Sequence, residues 1–363
     1  MSNCKIRHSI VTTLSLLGLL TILNGCQGFL PLLKEVQPAS EQAIPSALEL
    51  NKPGRDYICV DQEPNIDSPP TLDPEVLGET KGELPDLCPP GKVPRATVKF
   101  GGPPKGPPPR LPGSAGHSPL QQIVPLGLPY CRYGACYAHA TSGLYVVALG
   151  MYANLTQHSP AVDPYDNGHS VAELALIKGA YPYWSIVEVG WRKRVGDVTR
   201  LFVFWWKDGT PKCYNTECQG WVQYSSSVYP GMAISNNTSG IRYVIQRRLD
   251  GTNNWWIAWN GKWVGYYPAS LWNGQFTQSD EIQFYGEVAA IDTVTTTDMG
   301  NGLWSSNSSA ARIEYQHYLI DMRGVWAPAN TLKISTAPDY YTVTEITPNG
   351  MRYGGPGCTS QCY

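Results

Sequence analysis

The sequence predicts an all-β protein, an antiparallel β-sandwich of jelly-roll type that carries a small disulfide-stapled region on its N-terminal side. Three observations predict it. From about residue 120 onward, short runs rich in Val, Ile, Tyr and Trp recur between turn signals. Those signals include Lys207-Asp208-Gly209, Asp250-Gly251, Asn260-Gly261 and Asn349-Gly350. The aromatic residues are 12 Trp and 22 Tyr against 6 Phe, an amphipathic set suited to a β protein that presents a groove.

Residues 1–26 read as a leader. Lys5, Arg7 and His8 precede an apolar run from Ile10 to Leu23, too short and wrongly flanked for a transmembrane span. Leu23 to Cys26 is similar to a bacterial lipoprotein signal, with Cys26 as the lipidated residue. Export, with a cell-envelope anchor or plain secretion, is the expectation. The only membrane contact expected is that lipid.

Residues 27–118 form an accessory region rich in Pro, Gly and acidic side chains. Arg55 to Gln62 and Lys92 to Phe100 are its candidate strands. Gly101 to Gly113 holds so many prolines that neither helix nor central strand is available, because proline fixes φ and removes the amide donor. It reads as a polyproline-II-like spacer.

Residues 119–363 supply the sandwich. Tyr137 to Leu155 is the most helix-like stretch by composition, yet its β-branched, aromatic and Gly content favours two strands broken near Gly143 or Gly150. Runs follow at Val171–Gly179, Trp184–Trp191, Thr199–Trp206, Gly220–Ser226, Ile241–Leu249, Asn254–Pro268, Glu281–Ile291 and Arg312–Met322. Asn260-Gly261 between two apolar runs is a two-residue hairpin signal.

Of ten cysteines, setting aside Cys4 and Cys26 leaves eight, and six of these are close pairs: Cys131/Cys136, Cys213/Cys218 and Cys358/Cys362. Cys59 and Cys88 remain as a fourth pair, consistent with an oxidising compartment. The spacings lack the C-x2-C pattern and have no nearby histidines, so no metal and no cofactor are expected. A formal charge of -2 without a basic run gives no case for nucleic acid.

Chemistry falls to carboxylates. There is no G-x-S-x-G, no phosphate loop and no H-E-x-x-H, and His139, His158, His169 and His317 sit in unrelated contexts. Two strand-like segments carry glutamates. In Ser185 to Trp191, Glu188 shares a face with Ile186 and Gly190, while Val187, Val189 and Trp191 take the other. In Glu281 to Val288, one face carries Glu281, Gln283, Tyr285 and Glu287. Carboxylates are depleted in strands. Paired glutamates point to shared-proton acid/base chemistry; solvated glutamates, or pairs with Arg192 and Arg312, are the bland alternative.

The chain resembles the neprosin family of glutamic peptidases. Tyr57 to Asp61 and Cys88 to Ala96 are similar to segments of that family's activation domain. Ser170 to Gly179, the Glu188-Gly190-Trp191 strand, Thr199 to Gly209, Cys213 to Gln223, Asn254 to Trp272, Glu281 to Val288 and Met299 to Gly302 are similar to segments of its catalytic domain, in the same order. The resemblance implies a β-sandwich endopeptidase cleaving after proline at acidic pH, with Glu188 and Glu287 as the catalytic pair and Glu281 as the fallback for the second. It also implies latency through the N-terminal region, with self-cleavage in Pro103 to Pro112. Gln283, Tyr285 or a nearby Trp would hold the oxyanion, and of Trp205, Trp206, Trp255 and Trp256 some would stack on proline rings while others belong to the core. Tyr285 departs from the family pattern, which has glycine at that place. The expected partner is a proline-containing peptide or protein, met by a monomer. Two rival readings share the same residues: a jelly-roll glycoside hydrolase with two glutamates, and a non-catalytic carbohydrate-binding module.

Overall fold

The computed structural model describes residues 56–359, except 72, 102–104, 113–129, 133–134, 166, 181, 292–294 and 348. All of these lie in one compact unit, Ile44–Tyr363. The leader, Cys26, Pro103 and Pro104 fall outside the described residues.

The chain runs through β1 (Tyr57–Asp61), a short helix α1 (Pro74–Leu77), β2 (Lys92–Ala96), β3 (Tyr130–Arg132), β4 (Ala135–Ala148) and β5 (Gly150–Gln157). It continues with β6 (His169–Lys178), β7 (Ser185–Arg194), β8 (Arg200–Lys207), β9 (Thr210–Pro211), β10 (Val222–Gln223) and β11 (Asn237–Arg247). Then follow β12 (Trp255–Trp259), β13 (Lys262–Tyr267) and β14 (Ser279–Ala290). Last come β15 (Ala311–Leu319), β16 (Trp326–Pro328), β17 (Leu332–Ser335), β18 (Thr342–Thr347) and β19 (Gly350–Gly354). The helix-like stretch is indeed two strands, broken at Leu149.

Two antiparallel sheets pack face to face. One has the order β17-β4-β14-β6-β7-β8-β9, with β3 on β4; the other has β10-β13-β12-β11-β5-β15-β19-β18, with β16 on β15. Between them lies a single apolar core to which the first sheet gives Leu174, Val187, Val189, Trp191, Val203 and Trp205, and the second gives Met151, Leu155, Ile245, Trp255 and Ile257. Strand alternation then sends Glu188 and Glu287 to the outer face of the first sheet. At Asn260-Gly261 both residues take positive φ, 50° and 74°, which closes the β12–β13 hairpin with the twist its strands need.

The N-terminal region is the pair β1–β2, stapled by Cys59–Cys88. Cys213–Cys218 is also bonded. Cys136 and Cys358 each stand in a disulfide, and the expected partners, Cys131 and Cys362, have side chains outside the described residues.

The spacer reading needs correction. Lys105 to Pro109 and Leu111 are buried, and they lie against the outer face of the first sheet instead of in solvent. Gln283 Nε2 donates to the Pro109 carbonyl at 2.7 Å, and Tyr145 Oη donates to the Leu111 carbonyl at 2.8 Å. Prolines have no amide to donate, so the side chains of the sheet, not a strand ladder, hold this strip. It covers part of the face that a two-layer sandwich would leave wet; beside it Phe100, Trp184 and Tyr214 pack on the outer residues of β7 and β8, and β6, β7 and β8 are buried almost end to end.

Candidate active site

Three rows of directly opposed residues cross β4, β14, β6 and β7 on the outer face. The first is His139–Glu287–Val171–Arg192, the second Thr141–Tyr285–Glu173–Gly190, the third Gly143–Gln283–Ala175–Glu188. Glu287, Glu173 and Glu188 therefore form a diagonal, each one strand over and one row along from the last. Diagonal neighbours of this kind stand about 7–8 Å apart, within reach of long side chains. All three are fully buried. The solvated reading of Glu188 and Glu287 is thereby excluded; the close partners of Glu287 are Lys105, His139 and His169, and Arg312 pairs with Glu314.

Charge at the centre is set by the overlying strip. The Lys105 ammonium, also fully buried, stands 2.5 Å from Glu173 Oε1 and 2.9 Å from Glu287 Oε2. It donates to Tyr285 Oη at 3.2 Å, and Tyr285 Oη in turn donates to Glu188 Oε1 at 3.2 Å. Trp206 Nε1 donates to the other oxygen, Glu188 Oε2, at 3.3 Å. A continuous chain of contacts thus joins the two proposed catalysts: Glu188, Tyr285, Lys105, Glu287.

Glu287 accepts more. His139 Nε2 stands 2.9 Å from Oε2 and His169 Nε2 2.9 Å from Oε1, with the Gly106 amide at 3.4 Å from Oε1. The tautomer of His169 is fixed. Its Nδ1 faces Arg192 Nη2 at 3.2 Å, and a guanidinium only donates, so Nδ1 accepts and Nε2 carries the proton given to Glu287. Arg192 also donates to the carbonyls of Phe100 and Gly101 and packs 4.4 Å over the Tyr214 ring. Gly106 has to be glycine: a Cβ there would meet Tyr137 Cδ1 at 2.5 Å and Glu287 Oε2 at 2.8 Å.

These partners split the carboxyls. Burial pushes Glu287 up, but Lys105, His139 and His169 outweigh it and hold the group well below the usual carboxylate range. Burial raises Glu188 to about 7, against the pull of Lys105 and the hydrogen bonds of Trp206 and Tyr285. Burial likewise raises Glu173 well above the usual range, with Lys105 opposing. Burial, then Arg192, lowers His169 to about 4, and burial lowers His139, so both imidazoles are neutral donors. Both aim at the carboxylate oxygens themselves, and among the described residues no group of three or more His, Cys, Asp or Glu is placed to hold a metal ion.

The other expected residues divide. Gln283 and Tyr285 line the site, and Trp206 reaches it. Trp205 is in the inter-sheet core with Trp272 and Tyr267 around it, on the face opposite Glu188. Trp255 is in the same core, and Trp256 is fully buried on the second sheet against Tyr224, Trp263 and Tyr266. These three are therefore the tryptophans that belong to packing, and of the four only Trp206 stands beside the described part of the strip. Glu281 shares the outer face but bonds Gln283, away from Lys105; burial raises it to about 7.

Glu173, Lys105, His139 and His169 were not among the residues expected here. Alternation alone places Glu173 and His169 on one face of β6. What it leaves open is the register that sets this face beside Glu188 and Glu287.

A family model described as Neprosin matches residues 166–356, a span that contains Glu173, Glu188 and Glu287. Among solved structures, the chain is similar to a scytalido-glutamic peptidase bound to a peptide-based transition-state analogue. That match has 9% identity and a TM-score of 0.33, covering 61% of this chain and 97% of that one. It is similar also to SCP-B, a member of the eqolisin family of peptidases in complex with a tripeptide, at 9% identity and a TM-score of 0.31, covering 61% and 97%. A β-porphyranase from the human gut bacterium Bacteroides plebeius gives 10% identity and a TM-score of 0.23, covering 43% and 65%. No functional inference follows from likenesses this remote.

Proposed function

The chain belongs to the neprosin family, and from that premise we propose that it is an endopeptidase of the glutamic type, acting after proline, with Glu188 and Glu287 as its catalytic pair. The observation that carries this reading is the split between the two carboxyls: both are fully buried on one face, Glu188 raised to about 7 by burial and Glu287 held ionised by Lys105 and by the His139 and His169 donors, which stay on the sheet when the strip leaves. Groups driven apart in this way are suited to acid and base roles at one pH.

In the mechanism, ionised Glu287 takes a proton from water while His139 and His169 hold its oxygens. The hydroxide formed attacks the scissile carbonyl carbon. Protonated Glu188 hydrogen-bonds the carbonyl oxygen, whose growing charge Tyr285 or Gln283 shares. Glu188 then gives its proton to the amine nitrogen as the C–N bond breaks, leaving a carboxylic acid and an amine product, and proton exchange with solvent returns Glu287 to its ionised form and Glu188 to its protonated form. Pro107, Pro108 and Pro109, buried along the groove, support a surface shaped for proline.

In this reading the full chain is latent. Lys105 neutralises the base, and the strip from Lys105 to Pro112 lies where a substrate would lie. Cleavage of the strip releases the site. Residues 1–26 direct export, and Cys26 is the place of a lipid anchor.

The test is to incubate the purified protein at acid and neutral pH with a proline-containing quenched peptide and, separately, with soluble glucans and xylans. Cleavage after proline that disappears in both Glu188→Gln and Glu287→Gln supports the proposal. Activity retained in both variants overturns the assignment, and sugar release supports the glycosidase instead.

A further inference from the structure

Lys105 is one nitrogen held by three side-chain oxygens. Glu173 Oε1 lies at 2.5 Å, Glu287 Oε2 at 2.9 Å and Tyr285 Oη at 3.2 Å, and the Tyr285 ring centroid is 4.9 Å away. The ammonium donates to Glu287 Oε2 and Tyr285 Oη, with the Gly106 carbonyl at 3.5 Å, while Glu173 Oε1 is its nearest ion partner without hydrogen-bond alignment. A guanidinium spreads its donors in a plane over a wider fork and matches the arrangement poorly.

The walls are independent of the strip. Glu287 and Tyr285 stand on β14 and Glu173 on β6, paired in register from Glu281–Ile177 to Ala289–His169. His139 and His169 fix the Glu287 carboxylate from the sides. Glu173 has no such support: both its oxygens are buried without an aligned hydrogen-bond donor, and Lys105 is its ion partner. The proposed acid and base are already provided for, Glu188 by Tyr285 and Trp206, and Glu287 by the histidines. A third buried carboxyl between them has no role in hydrolysis as described above. Its role is to face a cation.

We infer that Glu173, with Glu287 and Tyr285, forms a binding site for a primary alkylammonium group, occupied by Lys105 in the full chain and able to take a free ligand of that class when the Lys105 side chain is absent. Glu173 is the residue that selects for the charge. A lysine side chain of another peptide is the protein-borne form of the same ligand.

Shortening Lys105 to alanine in the full chain removes three methylenes and the ammonium, a space that n-propylammonium matches. Melting temperature reads the outcome without any need for hydrolysis, so failure of the peptidase proposal leaves this test intact. In Lys105→Ala, n-propylammonium should raise Tm saturably by about 2–4 °C. Neither propan-1-ol nor tetramethylammonium should do so, and the wild type, its site filled, should not respond. In Lys105→Ala with Glu173→Gln, the apparent affinity should fall at least about tenfold. Equal stabilisation by propan-1-ol, an equal response of the wild type, or an unchanged response of the double variant overturns the inference. If Lys105→Ala does not accumulate folded, refolding in the presence of each additive gives the same comparison as folded yield.

Discussion

Lys105 and Glu287, 182 residues apart in sequence, form an ion pair of 2.9 Å with both side chains fully buried. The pair joins the proline-rich strip to the outer face of the sheet, and it decides the charge of the whole site. Removing the lysine leaves three carboxyls in a dry setting with neutral donors alone to help them, the histidines at Glu287 and Tyr285 and Trp206 at Glu188. Breaking one side of a buried pair costs about 3–5 kcal/mol. Lys105→Met, which keeps most of the volume, should therefore lower the unfolding free energy of the full chain by about that amount near neutral pH. The gap should narrow on acidification. Lys105 lowers the pKa of Glu287, Glu173 and Glu188, so its loss raises all three, and the variant regains stability relative to the wild type by protonating them as pH falls. Denaturant unfolding at about pH 7.5 and about pH 5 checks both statements.

Glu188 must be protonated to donate, so peptide hydrolysis should fall as pH rises through its pKa, which is about 7 with Lys105 in place and moves upward once the cleaved strip takes that lysine away. Tyr285 donates to the ionised form and so lowers that value. Tyr285→Phe removes the donor and keeps the ring. The basic limb of kcat/KM against pH should then move upward, by roughly half a unit to one unit. A limb that stays in place, or moves down, would show that Glu188 does not set it. The measurement bears also on why a tyrosine stands where the family pattern has glycine.

Much of this site was legible in the sequence, and the rest was hidden for physical reasons. Alternation in Ser185 to Trp191 and Glu281 to Val288 assigns faces, and the observed core takes Val187, Val189 and Trp191 as that alternation requires. The paired cysteines Cys59/Cys88 and Cys213/Cys218 are bonded as their positions suggest. Alternation cannot say which strands are neighbours. That is why His139 and His169 looked like strays and Glu173 passed unnoticed, though strand pairing sets all three around Glu287 and Tyr285. Tryptophans carry no directional signal, so Trp205 and Trp256, among the candidates for stacking on proline, belong to packing. The strip was misread for a different reason. Proline content excludes a ladder, but it does not exclude burial when side chains such as Gln283 and Tyr145 supply the donors.

His169 acts on Glu287 through one fixed proton, because Arg192 occupies its other nitrogen. His169→Phe deletes that donor and keeps a planar ring. The hydrogen bond favours the ionised carboxylate, so its loss should raise the Glu287 pKa. The base must be ionised to act, and the acid limb of the pH profile should accordingly move upward by about one unit. The basic limb, which belongs to Glu188, should stay within a few tenths of a unit of its wild-type position. Movement of both limbs together would point to a general disturbance of the sheet.

Glu281 and Glu287 stand on the same face of β14, and either could have been the second catalyst on pattern alone. Six residues of strand separate them by about 20 Å. Glu281 bonds Gln283 near the end of the strip, whereas Glu287 joins the chain of contacts through Lys105 and Tyr285 to Glu188. Glu281→Gln preserves shape and the hydrogen-bonding partner, so kcat/KM after proline should stay within about threefold of wild type. Glu287→Gln removes the only ionised base in the proposed mechanism and should lower kcat by about a thousandfold or more. Both variants should keep the wild-type near-ultraviolet circular dichroism, since neither substitution changes volume. A reversal of the two effects would move the catalytic centre to the Gln283 end of the groove, beside the Pro109 carbonyl.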